Sequence, residues 1–300
     1  MVHLFDDDRG KTHRFDGPPT RIVSLVPSDT LTVAELGAGA TLVGRTDYCE
    51  LPEDTVRGIP SVGGTKNPSV DAIVALAPDL VLANQEENTK ADVLALDAKG
   101  IRVFVAFPKR VAEGIGHLAR LCRILDRGSD PAAKALVRAG YAALRDAESR
   151  RASAPTLRVF CPIWMDPLMT IHGETFISDM LDLAGAVNVF HGRERRYPLA
   201  ADLGKGNALR PEKVMGRDVR YPRVTLEEVV AAAPELVLLP DEPHPFSDAD
   251  ADVFRALPIP AAKSGAVLKI SGKDLCWYGS RSVEGIARVR AIVDAVRPTS

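Results

Sequence analysis

The chain has 300 residues, 46 % of them hydrophobic and 26 % charged, which is enough for two domains with real cores and is an ordinary globular composition. Its formal net charge of −2 gives no electrostatic case for nucleic acid or an anionic membrane, since both call for a basic face. The four cysteines, Cys49, Cys122, Cys161 and Cys276, lack C-x-x-C spacing and read as free thiols rather than a disulfide framework.

The chain begins MVHLFDDDRGKTHRF, with neither the basic start nor the apolar stretch of a secretory leader. No run of about 18 apolar residues appears further on. As written the protein is expected in the cytoplasm. If an export signal has been removed, the periplasm or cell surface is expected instead. The first strand is RIVSLV at 21–26, followed by a helix through LTVAELGAG, with Gly39 as its expected stop. Residues 70–87, VDAIVALAPDLVLANQEE, then meet their own likeness at 226–243, LEEVVAAAPELVLLPDEP, at an offset of 156 with no gap. Each copy predicts a short amphipathic helix, an Ala-Pro turn at Pro78 or Pro234 and an unbroken apolar strand. Proline ends the helix, and a strand apolar on both faces belongs to a parallel sheet. IRVFVAF at 101–107 closes the first half as a third strand.

Two helices follow. Val111, Ile115, Leu118, Cys122 and Leu125 keep a 3.6 period. Asp130-Pro131 starts the second with an N-cap and a proline at the first helical position, and it runs to about Arg150. The second half repeats the plan with LRVFC at 157–161, a helix through FISDMLDLAGA stopped by Gly185, the repeated helix and strand, and AVLKI at 266–270. Ile286, Val289, Val293 and Val296 mark a closing helix. The fold class is therefore α/β: two Rossmann-like lobes with central, mostly parallel sheets joined by one long rigid helix. The expected boundaries are an N-terminal lobe at 1–128, a connecting backbone helix at 129–152 and a C-terminal lobe at 153–300. The stretch 199–222 has no period and reads as a surface excursion or something functional.

Enzymatic signatures are missing. Gly37-Ala-Gly39 follows a helix and lacks the third glycine of a dinucleotide fingerprint, and Gly63-Gly64-Thr65-Lys66 fails the phosphate-loop order. No catalytic cofactor or resident metal is expected. His172, His191 and His244 fall in loops of the second half and would have to converge to make a metal site, while His117 reads as structural.

Ligands of open α/β sheets bind beyond the carboxyl ends of the strands. The residues expected there are Tyr48, Lys66, Asn84 and Phe107 in the first half. In the second half they are Trp164, Phe246, Trp277, Tyr278 and Arg281. Aromatic residues are only 5 % of the chain, so both tryptophans falling in such loops suggests a broad planar ligand, against the alternative that they are packing residues.

RIVSLVPSDT, TDY, VGGTKNP with NQEEN, DPLMTIHGETFISDML and LLPDEP-x-PF together resemble the class III substrate-binding proteins of ABC importers. That family is the vitamin B12 and iron-siderophore type, in the branch described as helical-backbone metal receptors. The resemblance covers the chain from about residue 20 onward. It implies two lobes joined by a rigid helix, with a cobalt corrinoid or iron chelate captured between them by aromatic stacking. By position Tyr48 matches a corrin-contacting tyrosine, whereas Asn84 stands where corrin-binding members carry a stacking tryptophan. It also implies docking onto an ABC permease through acidic tips, for which Glu86 or Glu87 and Asp241 or Glu242 are candidates. The expected partners are thus a small metal chelate and a permease, without nucleic acid, and the protein is expected to act as a monomer. Two rivals stand beside this reading: a cytosolic chelate carrier or chelatase-like enzyme using His172, His191 and His244, and a scaffold that has lost its ligand.

Overall fold

The sequence repeat becomes two four-stranded parallel sheets of the same strand order. The computed structural model describes residues 3–151 and 156–297. A hairpin comes first, β1 (His3–Asp6) pairing antiparallel with β2 (Thr12–Phe15). The first sheet holds β3 (Ile22–Ser24), β4 (Leu42–Arg45), β5 (Leu80–Asn84) and β6 (Val103–Ala106), ordered β4-β3-β5-β6. In the second half come β7 (Leu157–Phe160), a ribbon of β8 (Pro162–Met165) and β9 (Leu168–Thr170), then β10 (Ala186–Asn188), β11 (Leu236–Pro240) and β12 (Val267–Ile270). Its sheet is ordered β10-β7-β11-β12, and every pairing within both sheets is parallel.

The unbroken apolar strands are covered on both faces, as their sequence predicts. On β5, Leu80 and Leu82 pack into one core with Ile22, Phe104 and Leu118. The alternating Val81 and Ala83 pack into the other with Val23, Ile73 and Val103. Burying each leucine contributes about 2 kcal/mol. β11 is equally buried along its length.

The repeat holds at the level of single bonds. Its helices are Val70–Ala75 and Leu226–Ala232, and in each the alanine before the proline turns left-handed, with φ of 44° at both Ala77 and Ala233. The pre-proline residue is excluded from the right-handed helical region, and alanine has the smallest side chain to place elsewhere. Arg21 then donates to the carbonyls of Leu76 and Ala77, and Arg158 to that of Ala232, covering helix-end carbonyls that have lost their partners. In return the Asp79 carboxylate accepts from the backbone N–H of Thr20 and Arg21, and the Glu235 carboxylate from that of Arg158.

Two details differ from the sequence reading. After the helix Pro27–Val33 the backbone widens through Ala34–Ala38, and Gly37 (φ 76°), not Gly39 (φ −53°), takes the left-handed turn. A side chain at Gly37 would also strike the Arg127 guanidinium, which is bonded to the Leu36 carbonyl. Gly185 (φ 87°) does end the helix Phe176–Leu183. The helices Val111–Ile124 and Pro131–Arg151 form as expected, the latter capped by the Asp130 carboxylate on the N–H of Ala132 and Ala133.

The chain forms two compact units. The first comprises 1–108, 112–142 and 277–283, and the second 109–111, 143–276 and 284–300. The long helix is thus shared out, its first part in one unit and its end in the other, rather than standing as a separate connector. The expected boundary between 152 and 153 lies outside the described residues. The excursion carries two short helices, Leu199–Asp202 and Pro211–Val214, and is anchored on buried Asp202. That carboxylate accepts from Arg193, from the Arg196 N–H and from the Arg223 N–H.

Candidate functional site

In the first unit the carboxyl-end loops are tied together by buried amides. The Asn84 side-chain carbonyl accepts from the N–H of Glu86 and Glu87, and Asn88 bonds back to the N–H of Asn84. Asn88 also donates to the carbonyls of Leu25 and Thr65, which joins this loop to the one at 63–67. Lys66, exposed, donates to the Glu86 carbonyl, and Glu86 and Glu87 are half-buried. Tyr48, in the loop after β4, is 61 % exposed and its ring lies against Gly64, where a Cβ would touch it. Gly63 (φ 102°) makes that loop's turn, and its carbonyl accepts from the Asp47 N–H. Phe107 is half-buried at the end of β6, its N–H bonded to Asp8. Tyr48 is therefore an open aromatic ring at the carboxyl end of this sheet.

Three expected contacts in this unit are interior instead. Asn84, Trp277 and Tyr278 are buried. The reason is a polar knot beneath the loops. Asp29, itself buried, accepts from His117 Nε2 at 2.9 Å and from the Tyr278 hydroxyl at 3.2 Å. Arg120 reaches His117 Nδ1 at 3.0 Å. Arginine can only donate, so Nδ1 accepts and Nε2 carries the proton toward Asp29. Asn84 donates to the Tyr278 oxygen at 3.3 Å. Burial, followed by the negative charges of Asp29 and Glu87, holds the Tyr278 hydroxyl well above its ordinary pKa. Next to it Gly279 (φ 77°) lies so close to the Thr32 hydroxyl that no side chain fits. His117 is structural, as its place on an amphipathic helix predicts, and Arg281 is half-buried at the start of the helix Arg281–Val296.

In the second unit the ribbon β8–β9 follows directly on β7 and lifts Trp164 to 43 % exposure. The indole packs against the His244 ring at 5.2 Å, and His244 meets Phe246 edge-on at 4.7 Å. Phe246 is buried, so it supports His244 and Trp164 from beneath rather than lining an open surface. Asp241 and Glu242 are held in place after β11. Asp241 accepts from the Gly272 N–H at 2.6 Å, and Glu242 pairs with Lys273 at 3.2 Å and with the Cys276 thiol at 3.3 Å.

The three histidines do not converge. His172 and His191 stack at 6.2 Å, whereas His244 belongs to the Trp164 cluster. Among the described residues no group of three or more His, Cys, Asp or Glu is placed to hold a metal ion. The four cysteines are free, and burial pushes Cys161 up to about 12, which leaves no thiolate there at neutral pH. No described helix is long and apolar enough to cross a membrane. A signal the sequence reading missed is Arg223, whose place follows only from the ribbon.

A family model described as periplasmic binding protein matches residues 22–267. The chain belongs to the periplasmic binding protein family. This family is one of binding proteins rather than enzymes, which does not favour the chelatase-like rival. The vitamin B12-binding protein of Yersinia pestis is 26 % identical over 220 residues, 73 % of this chain and 69 % of that one. Among solved structures, the periplasmic vitamin B12 binding protein of Vibrio cholerae superposes with a TM-score of 0.73 at 18 % identity, covering 94 % of this chain and 99 % of that one. A periplasmic heme binding protein of Pseudomonas aeruginosa gives 0.71 at 22 % identity, covering 94 % and 95 %. These structural likenesses establish the two-lobe fold of the binding protein.

Proposed function

We propose that this binding protein captures a metal chelate of the corrinoid, haem or ferric-siderophore kind, a corrinoid first among them, for an ABC-type importer in the periplasm. The observation that carries the reading is the family match joined to one exposed aromatic ring at the carboxyl end of each sheet, Tyr48 after β4 and Trp164 after β7. Flat rigid rings give large contact area at little entropic cost, which suits a macrocycle. Relatives that bind vitamin B12 support the corrinoid. In this reading Lys66 and Phe107 are further ligand contacts on the carboxyl-end loops of the first unit, Asn84, Trp277 and Tyr278 lie beneath those loops, and Phe246 supports the Trp164 cluster through His244. Glu86 or Glu87 and Asp241 or Glu242, on the loops after the repeated strands, are the proposed permease contacts.

The test titrates cyanocobalamin, haemin and a ferric siderophore into the purified protein, followed by tryptophan fluorescence and calorimetry. At least one is expected to bind more tightly than about 10 μM, equivalent to roughly −7 kcal/mol. Weaker binding of all three overturns the reading. Trp164→Ala is expected to weaken the bound chelate by about 1 kcal/mol or more.

A further inference from the structure

The second unit sets an exposed aromatic ring and a guanidinium with no hydrogen bond among the described residues on one face of a ribbon. The backbone of 220–224 runs antiparallel beside β9: Thr170 N–H bonds the Pro222 carbonyl, His172 N–H the Arg220 carbonyl, and Val224 N–H the Leu168 carbonyl. The ribbon β8–β9 therefore has a third strand. Trp164 stands opposite Met169, and Met169 opposite Arg223. Residues directly opposite in an antiparallel pair point to the same side, so Trp164, Met169 and Arg223 share one face. Two strand spacings place Arg223 roughly 10 Å from Trp164 across that face.

Arg223 has two guanidinium nitrogens that are buried and without a hydrogen bond among the described residues. Residues 193–223 hold nine Lys and Arg against four Asp and Glu, a net +5 in a chain of net −2. Four of the nine have a side-chain partner. Arg193 binds Asp202 and Glu228, Arg220 binds Asp218, and Arg195 and Arg217 lie over the Tyr197 ring at 4.5 and 5.0 Å. The Arg223 guanidinium has no hydrogen bond among the described residues, although its Nε and Nη1 are shut off from solvent. Asp202, the nearby acid, accepts instead from Arg193 and from the backbone of Arg196 and Arg223. Burial and the neighbouring charge of Arg195 push the Arg223 pKa down. A partly desolvated cation beside another cation is costly, the nearby Asp202 offsets only part of that cost, and an anion at the remaining nitrogen, Nη2, relieves more of it.

We infer that Arg223 and Trp164 form a subsite for a planar ligand bearing an anionic substituent, a carboxylate or a phosphate, with the ring system over Trp164 and the anion on Arg223. This rests on the proposed capture of a chelate and specifies its chemistry: the cargo carries a negative group at its periphery. The carboxylate and phosphate sources separate experimentally.

The probes are metal-free protoporphyrin IX, which has two carboxylates, its uncharged dimethyl ester, and the pair cobalamin and cobinamide, which differ by the nucleotide loop that carries the phosphate. Wild type, Arg223→Gln and Arg223→Lys are titrated by quenching of tryptophan fluorescence. The subsite predicts that wild type prefers the acid over the ester, or cobalamin over cobinamide, by at least ten-fold. Arg223→Gln erases that preference by weakening only the anionic member, and Arg223→Lys restores part of it. Because the guanidinium makes no hydrogen bond among the described residues, the melting temperature of Arg223→Gln is expected to stay near that of wild type, and the charged-versus-uncharged comparison reads the subsite even if it does not. Equal binding of both members of both pairs to wild type overturns the subsite, as does an Arg223→Gln effect that falls equally on charged and uncharged probes. If cyanocobalamin, haemin or a siderophore still binds in that case, the capture function stands alone. If none of them binds while acid and ester are discriminated, the subsite stands and the metal-chelate reading falls.

Discussion

The two halves share a frame and part company at the ends of their strands. In both, an arginine caps the repeated helix and an acid clasps the neighbouring strand, Arg21 with Asp79 and Arg158 with Glu235. Beyond the first sheet, however, the chain invests in buried polar bonds: Asn84, Asn88, Asp29, His117 and Tyr278 form a continuous interior network. Beyond the second it invests in an exposed ribbon with Trp164, His244 and Arg223. The frame is duplicated because parallel strand packing demands the same apolar pattern twice. Recognition is not under that constraint, so the loops are where the halves diverged.

The two tryptophans give the sharpest way to break this contrast. Trp277→Ala removes a buried indole and is expected to cost about 3–5 kcal/mol in chemical denaturation. Trp164→Ala at an exposed position should cost less than about 1 kcal/mol while weakening the ligand. Equal stability losses would erase the distinction. Next in size is Asp29→Ala, which removes the buried acceptor of His117 Nε2 and one bond of the Tyr278 hydroxyl and is expected to cost about 3 kcal/mol. A loss under about 1 kcal/mol would mean that the knot is not under tension from burial.

Tyr278 gives a pH signature. Its folded pKa is raised above the ordinary 10, so the folded state keeps the proton after the unfolded chain has released it. Below pH 10 this group contributes nothing to the pH slope; above it, stability falls by up to about 1.4 kcal/mol per pH unit. Tyr278→Phe should remove that part of the slope, and an unchanged slope would show the hydroxyl to be ordinary. The smallest effect tests the shared frame. Arg21→Ala and Arg158→Ala are each expected to cost about 1 kcal/mol, with Arg21 costing somewhat more because it also bonds the Ala77 carbonyl in addition to the equivalent carbonyl, Leu76 or Ala232, that both bind. A large disparity would show that the clasp is only superficially repeated.

What the sequence showed well was periodic. The offset of 156 residues carried over to Ala77 and Ala233, whose φ values coincide at 44°. The apolar runs of β5 and β11 proved buried along their whole length, because two-faced burial requires continuous hydrophobicity and leaves that mark. The site was harder to read. Trp277 and Tyr278 resembled loop aromatics, yet the partner that buries Tyr278 is Asp29, 249 residues away, and no local pattern encodes that meeting. Asn84 resembled a lost stacking residue, and its actual work is to tie its own loop. Gly39 had the right neighbourhood for a helix stop, but contact with Arg127 selected Gly37. Arg223 was invisible until strand register set it on the face of Trp164.

The segment Trp277–Val283 belongs to the first unit although residues 143–276 of the second precede it in the chain. During synthesis, then, the half that leaves the ribosome first cannot finish its interior until the other has been almost wholly translated. Until Tyr278 arrives, Asp29 and His117 must stay wet or find other company. Both units are therefore completed only at the end of translation: Trp277–Val283 supply the missing piece of the first, and the helix Arg281–Val296 runs on into the second.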